Sequence, residues 1–208
     1  MNYIIVTRSR SDELYEMASS FWPADVPRRR LVGYNHYKDA LSYLQDIQNE
    51  PYDYVVNIDE DCFVYDWAGF EGLLAQMPGH ILAGMPDSLD YCSHRNNSEF
   101  VFNPFFNVFY PSRIKSVLLA SERFHSYAVT GFQVPGCNFH EPFNCFFDAL
   151  KYEPAIKLKT ATLKDQITTD LGFALHTWYS REFEGEHRER ILSVYEQANY
   201  LRSLQRQG

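Results

Sequence analysis

The chain has 208 residues, 45% of them hydrophobic and 22% charged, a net charge of −8 and a pI near 5.3. That balance excludes a disordered polar chain and is enough for one domain with a sizeable core. The negative charge argues against DNA or RNA as a partner, since nucleic acid is held mainly by Lys and Arg on phosphates.

Taken in chain order, residues 3–7 (YIIVT) are a continuous apolar run and predict a buried strand. Ser11 then caps a helix whose stripe of Leu14, Met17, Ala18 and Phe21 stops at Pro23. A short second strand is expected from Arg30 to Gly33. The basic run Arg28-Arg29-Arg30 would suit an acceptor phosphate or an acidic membrane surface; such runs are more often a solvated strand edge, and that is the expectation here. Tyr37, Leu41, Leu44 and Ile47 mark an amphipathic helix ending before Pro51. Tyr54–Ile58 is a third strand, Asp66 caps a helix bearing Phe70, Leu73, Leu74 and Met77, and His80–Gly84 is a fourth strand. This β-α-β-α-β-α-β order predicts an α/β fold: a mostly parallel central sheet with helices on both faces.

Beyond Met85 the pattern changes. Residues 86–99 are polar and turn-rich, as expected of a loop over a site. Residues 100–110 (FVFNPFFNVFY) are strand-like but interrupted by Pro104, and a helix follows from Ser112. Then come a loop at 131–138, a short helix at 142–150, a strand at 156–163, a polar loop at 164–172 and a last strand at 173–178. A terminal helix at 186–205 carries Ile191, Val194, Tyr195, Ala198, Leu201 and Leu204 on one face. No repeat and no linker is visible, so residues 1–208 read as a single domain.

Cys62, Cys92, Cys137 and Cys145 form no CxxC pair and read as reduced thiols of a cytoplasmic protein. The apolar run at the N-terminus is too short for a signal peptide, and no stretch approaches the ~20 apolar residues of a membrane helix. Most of the aromatics, which include 16 Phe and 15 Tyr, are expected to fill the core rather than line a pocket.

The chemistry concentrates in residues 55–64, VVNIDEDCFV. An apolar third strand ends on Asp59, Glu60 and Asp61. Acids are depleted in strands, and carboxylates so close repel one another unless a cation sits among them. Carboxylate oxygens suit hard ions such as Mg²⁺ or Mn²⁺. The carboxyl ends of strands are also where open α/β sheets bind ligands. A solvated acidic turn is the plainer alternative.

The run NIDEDCFV followed by a capped helix resembles the DxD region of glycosyltransferases of the GT-A fold. The resemblance implies a Rossmann-like, GT-A type sheet with a nucleotide-binding half (1–84) and an acceptor half (85–208). It implies metal-dependent transfer of a sugar from a nucleoside-diphosphate sugar to the hydroxyl of a carbohydrate or other acceptor. Asp59 and Asp61 would hold Mn²⁺ or Mg²⁺, and His176, in FALHTWYSR, would be the third ligand; the alternative for His176 is a core or capping histidine. Thr7, Arg8 and Ser9 would meet the base and ribose, with Asp59 beside them, and Lys38 would reach the donor diphosphate or simply be an exposed helix lysine. Glu141, and after it Asp148, is the candidate base for an inverting enzyme; otherwise both are capping or surface charges, and a retaining enzyme needs no such base. Asn107 would hydrogen-bond a sugar hydroxyl or sit in a turn. At 208 residues the acceptor half must be reduced, and no acceptor-binding motif stands out. A domain that acts beside a partner, or one that has lost activity, fits the same features.

Two other readings compete. Phosphatases of the HAD type also place DxD at a strand end, with Asp59 as nucleophile, Asp61 as acid, and Lys164, Asp165 and Asp170 as later parts. Their motif normally follows the first strand, and Phe63 stands where Thr or Val is usual. A non-catalytic module that binds nucleotide or sugar would use the same carboxylates as a transferase.

Overall fold

The computed structural model describes residues 1–87, 98–130, 134–135, 137, 141–160, 168–177 and 183–206, apart from the side chains of Tyr37, Val129 and Thr130. Its framework is set by β1 (Tyr3–Arg8), whose four middle residues are buried, and β3 (Tyr54–Ile58), buried throughout. These two pair in parallel, with Ile4 opposite Val55 and Ile5 opposite Val56. Alternate residues serve opposite faces of a sheet. Ile5, Val56 and Ile58 therefore belong to one core and Ile4, Val6 and Val55 to the other.

Between the strands, α1 (Asp12–Ser19) begins at Ser11, whose hydroxyl accepts the Leu14 amide at 3.2 Å. The chain returns through β2 (Arg28–Leu31) and then α2 (Ala40–Asp46), which is flanked by 3-10 turns at Tyr37–Asp39 and Ile47–Asn49. After β3 come β4 (Cys62–Val64), α3 (Trp67–Leu74), β5 (Leu82–Pro86), β6 (Phe102–Phe109), α4 (Pro111–Ala120), α5 (Glu122–Thr130) and α6 (Asn144–Leu150). The chain closes with β7 (Ala155–Lys157), β8 (Thr168–Asp170), β9 (Ala174–Thr177) and α7 (Gly185–Gln205).

The main sheet has the order β2-β1-β3-β6-β5-β7, and all its neighbours are parallel except those of β6. The protein is therefore mixed α/β with a mostly parallel central sheet. A second, antiparallel sheet has the order β4-β9-β8. Residues of α1, α3 and α7 pack on one face of the main sheet, and residues of α2, α4, α5 and α6 on the other. Among the described residues no helix is long and apolar enough to cross a membrane.

Several expectations are corrected. The second strand starts at Arg28 rather than Arg30, because Ile5 of β1 pairs opposite Arg28; Gly33, at φ 98°, lies beyond its end. It is an edge strand, as its arginines implied, with Arg29 paired to Glu50 and Arg30 to Asp12. Pro104 does not interrupt β6. The β5–β6 register passes from Gly84↔Asn107 to Pro86↔Phe102, so Pro104 lies in a bulge where no ladder amide is required. The strand expected at 156–163 pairs only over Ala155–Lys157, and residues 161–167 lie outside the described residues. Strands β4 and β8 and helix α5 were not anticipated. Most of the loop expected at 86–99, namely 88–97, lies outside the described residues, as does most of the one at 131–138.

Candidate functional site

The acidic turn is the joint between the two sheets. At the end of β3 the Asp59 amide donates to Phe105 O at 2.8 Å, which ties the turn to β6. The Cys62 amide donates back to Asp59 O at 3.0 Å, and the chain leaves as β4 in the small sheet. There Cys62 lies opposite His176, and the Thr177 amide donates to Asp61 O at 3.2 Å. The backbone of Asp59 and Asp61 is thus fixed from two sheets.

The three carboxylates go to different partners. An Asp59 oxygen lies 3.7 Å from the Arg8 guanidinium, which stands over the Tyr43 ring, 5.7 Å from its centroid. An Asp61 oxygen lies 3.5 Å from His176 Nε2. The His176 ring stacks on Phe105, with centroids 4.0 Å apart and planes at 8°. Glu60, between them, accepts hydrogen bonds from Ser9 Oγ at 2.7 Å and from the amides of Arg10 and Ser11 at the start of α1. Burial raises the Asp59 pKa and Asp61 raises it further, while Arg8 and His176 pull the other way. Burial likewise raises that of Glu60, against the Ser9, Arg10 and Ser11 bonds.

Beneath the turn runs a buried polar layer. Tyr43 OH donates to Asn57 Oδ1 at 2.6 Å; the Asn57 amide donates to Asn107 Oδ1 at 3.3 Å and also to Pro104 O. Asn107 donates in turn to Asn103 O at 3.2 Å. A Cβ at Gly84 would stand 2.5 Å from Asn107 Nδ2, so β5 approaches this layer closely at that point. Buried polar groups in such a layer fix a unique arrangement when their partners are present.

The remaining sequence candidates are dispersed. Thr7 is fully buried beside Arg8, with its hydroxyl unpartnered. Lys38 is exposed in the 3-10 turn, its amide donating to His36 Nδ1 at 3.1 Å. Asn107 sits inside β6 rather than in a turn. The carbonyl of Glu141 accepts the Asn144 amide at 3.0 Å at the start of α6. Asp148, buried on α6, is paired with Lys151 at 2.8 Å and Arg123 at 3.3 Å. Asp170 accepts from Tyr65 OH at 3.0 Å and from the Gly172 amide at 2.7 Å, which occupies it in the β8–β9 turn. Lys164 and Asp165 lie outside the described residues. Burial pushes the thiols of Cys137 and Cys145 up to about 11, which leaves neither suited to be a nucleophile. A groove of about 500 Å³ lined by Tyr3, Trp67 and Glu71 opens where β1 begins, at the opposite end of that strand from Arg8.

Sequence reasoning missed Tyr43 and Asn57, and it named Glu60 as one of three adjacent carboxylates without its partners in the β1–α1 loop. Asn57 gave one signal, an amide side chain inside an otherwise apolar strand. Among the described residues no three His, Cys, Asp or Glu side chains are gathered to hold an ion. Asp61 and His176 meet as a pair while Asp59 is drawn to Arg8. By donor type the two carboxylates suit Mg²⁺ or Mn²⁺ and the imidazole a borderline ion, so Mn²⁺ is compatible with Asp59, Asp61 and His176, although the three are not gathered around one point.

No protein-family model matches the chain, and no curated protein matches it. Among the solved structures that resemble it distantly are two of low identity. One is A197 from STIV, with 14% identity, covering 85% of this chain and 94% of that one, at a TM-score of 0.41. The other is a glycosyltransferase involved in the glycosylation of the major capsid of PBCV-1, with 9% identity, covering 93% and 98%, at a TM-score of 0.43. Both scores are below 0.5, and the functional reading rests on the site itself.

Proposed function

We propose that the chain is a metal-dependent glycosyltransferase of GT-A type, moving a sugar from a nucleoside-diphosphate sugar to a hydroxyl acceptor. The observation that carries this reading is the pairing of Asp61 with His176 at the head of the small sheet, in the turn that follows a buried strand and also carries Asp59. Asp59, Asp61 and His176 would hold Mn²⁺ or Mg²⁺. When bound, such an ion supplies neutralisation of charge on the departing diphosphate.

The chain's own residues do the rest. Arg8, its guanidinium set between Asp59 and the Tyr43 ring, offers a positive charge at the end of β1. Thr7 and Ser9 flank it where a base and ribose would lie, and Lys38 would reach the donor phosphates. Glu141 is the first choice for taking the proton of an attacking hydroxyl. Asp148 is second, because two cations already engage it.

The test is release of nucleoside diphosphate from a panel of UDP-, GDP-, CDP- and dTDP-sugars. Release is expected from one donor with Mn²⁺, and is expected to stop with EDTA or in Asp61→Ala. Absence of release from every donor would leave a non-catalytic nucleotide- or sugar-binding module instead.

A further inference from the structure

We propose that Glu60 is a positioning residue that pins the acidic turn to the β1–α1 loop and so sets where Asp59 and Asp61 point. Its role toward a metal rests on the function proposed above; the pinning itself does not. The carboxylate accepts Ser9 Oγ at 2.7 Å, the Arg10 amide at 3.0 and 3.1 Å and the Ser11 amide at 3.4 Å. The loop that receives it is itself fixed. Ser9 Oγ accepts Arg30 Nε from the edge strand β2 at 2.9 Å and also reaches Ser11 O at 3.3 Å. The Arg30 guanidinium pairs with Asp12 at 2.5 Å and lies over the Tyr15 ring, 4.8 Å from its centroid. A chain of contacts therefore runs from β2 and α1 to the middle residue of the turn.

Three adjacent carboxylates could adopt many arrangements around one bend. Charge-assisted bonds to the middle one remove that freedom. With Glu60 held toward the β1–α1 loop, Asp59 is left beside Arg8 and Asp61 beside His176. Glu60 is thus withdrawn from the candidate ligand set and acts through its neighbours, as outer partners of a metal site do.

The test uses the full chain with Glu60→Ala, Glu60→Gln and Asp61→Ala. Two quantities are read: amide hydrogen exchange at Arg10 and Ser11 without metal, and the affinity for Mn²⁺ alone from the EPR signal of the free ion. Glu60→Ala should speed exchange at both amides and raise the Mn²⁺ Kd by about tenfold or more. Glu60→Gln, which keeps an oxygen to accept the same amides, should recover most of both effects; a merely structural loss would not discriminate in this way. Should Glu60→Ala not fold, Ser9→Ala removes one contact from the other side and should show the same effects in weaker form. Unchanged exchange at Arg10 and Ser11 would overturn the pinning. Unchanged Mn²⁺ affinity in Glu60→Ala, where Asp61→Ala loses it, would overturn the positioning role. If the wild-type chain binds no Mn²⁺ while the exchange effect is present, the pinning stands and the proposed function falls.

Discussion

At the scale of single residues, Asp59 is where the proposed function and stability pull apart. Its pKa is raised in the folded chain, chiefly by burial and then by Asp61, against Arg8 and His176. A carboxyl with a raised folded pKa favours folding while protonated, at pH below its unfolded value of about 3.9, and loses that contribution as pH climbs through the folded pKa. Asp59→Asn, which carries no charge at any pH, should therefore have a higher thermal midpoint than the parent at pH 7. The gain should shrink as pH falls toward 4. Calorimetry at the two pH values checks this; a lower midpoint at pH 7 would mean that Arg8 depends on the Asp59 charge more than burial penalises it. The same scale shows what was legible in the sequence. Asp59 and Asp61 stand out as acids at the end of an apolar strand, and His176 is pointed to only by the resemblance to GT-A glycosyltransferases; the fold sets Asp61 beside His176 and Asp59 beside Arg8. The roles of Glu60 and Tyr43 could not be read, because their meaning lies in Ser9 and Asn57, partners that only the folded chain brings to them.

At the scale of elements, the first half was readable and the second less so, for a physical reason. Residues 1–84 alternate strands and helices with strong periods and clear caps, Ser11 and Asp66 among them, each accepting an amide three residues on. The later strands are short, β7, β8 and β9 having three, three and four residues, too few for a period to show. β6 carries Asn103, Pro104 and Asn107 at positions where a bulge and a polar layer accept them. Its place beside β5 can be tested through Gly84. Glycine in a strand interior is ordinarily less stable than alanine, so open space at Gly84 would make Gly84→Ala stabilising. Here the added Cβ would stand 2.5 Å from Asn107 Nδ2 and 3.1 Å from a Phe102 ring carbon. Asn107 is tied to Asn57 and Asn103 and has little freedom to yield. Gly84→Ala should therefore destabilise by about 1–3 kcal/mol in urea unfolding. A gain in stability would contradict the β5–β6 register.

At the scale of the whole molecule, two sheets of unequal size meet at one acidic turn. The large one supplies a rigid base with a core on each face. The small one brings His176 from the far end of the sequence to Asp61. A turn tied by its backbone to a strand of each sheet, as Asp59 is to Phe105 and Asp61 to Thr177, is held more firmly than a free loop. The net charge of −8 adds to the repulsion that a cation would relieve there. The most direct test is the thermal midpoint of wild type, Asp61→Ala and His176→Ala with UDP, GDP, CDP and dTDP, each with and without Mn²⁺. A ligand that binds only the folded state raises the midpoint, by about 2.7 kcal/mol of stability at one hundred times its Kd. The expected result is a rise with one nucleotide, present only with Mn²⁺ in wild type, reduced in His176→Ala and absent in Asp61→Ala. No rise with any nucleotide, or an equal rise in Asp61→Ala, would contradict the assignment of the acidic turn as the metal and nucleotide site.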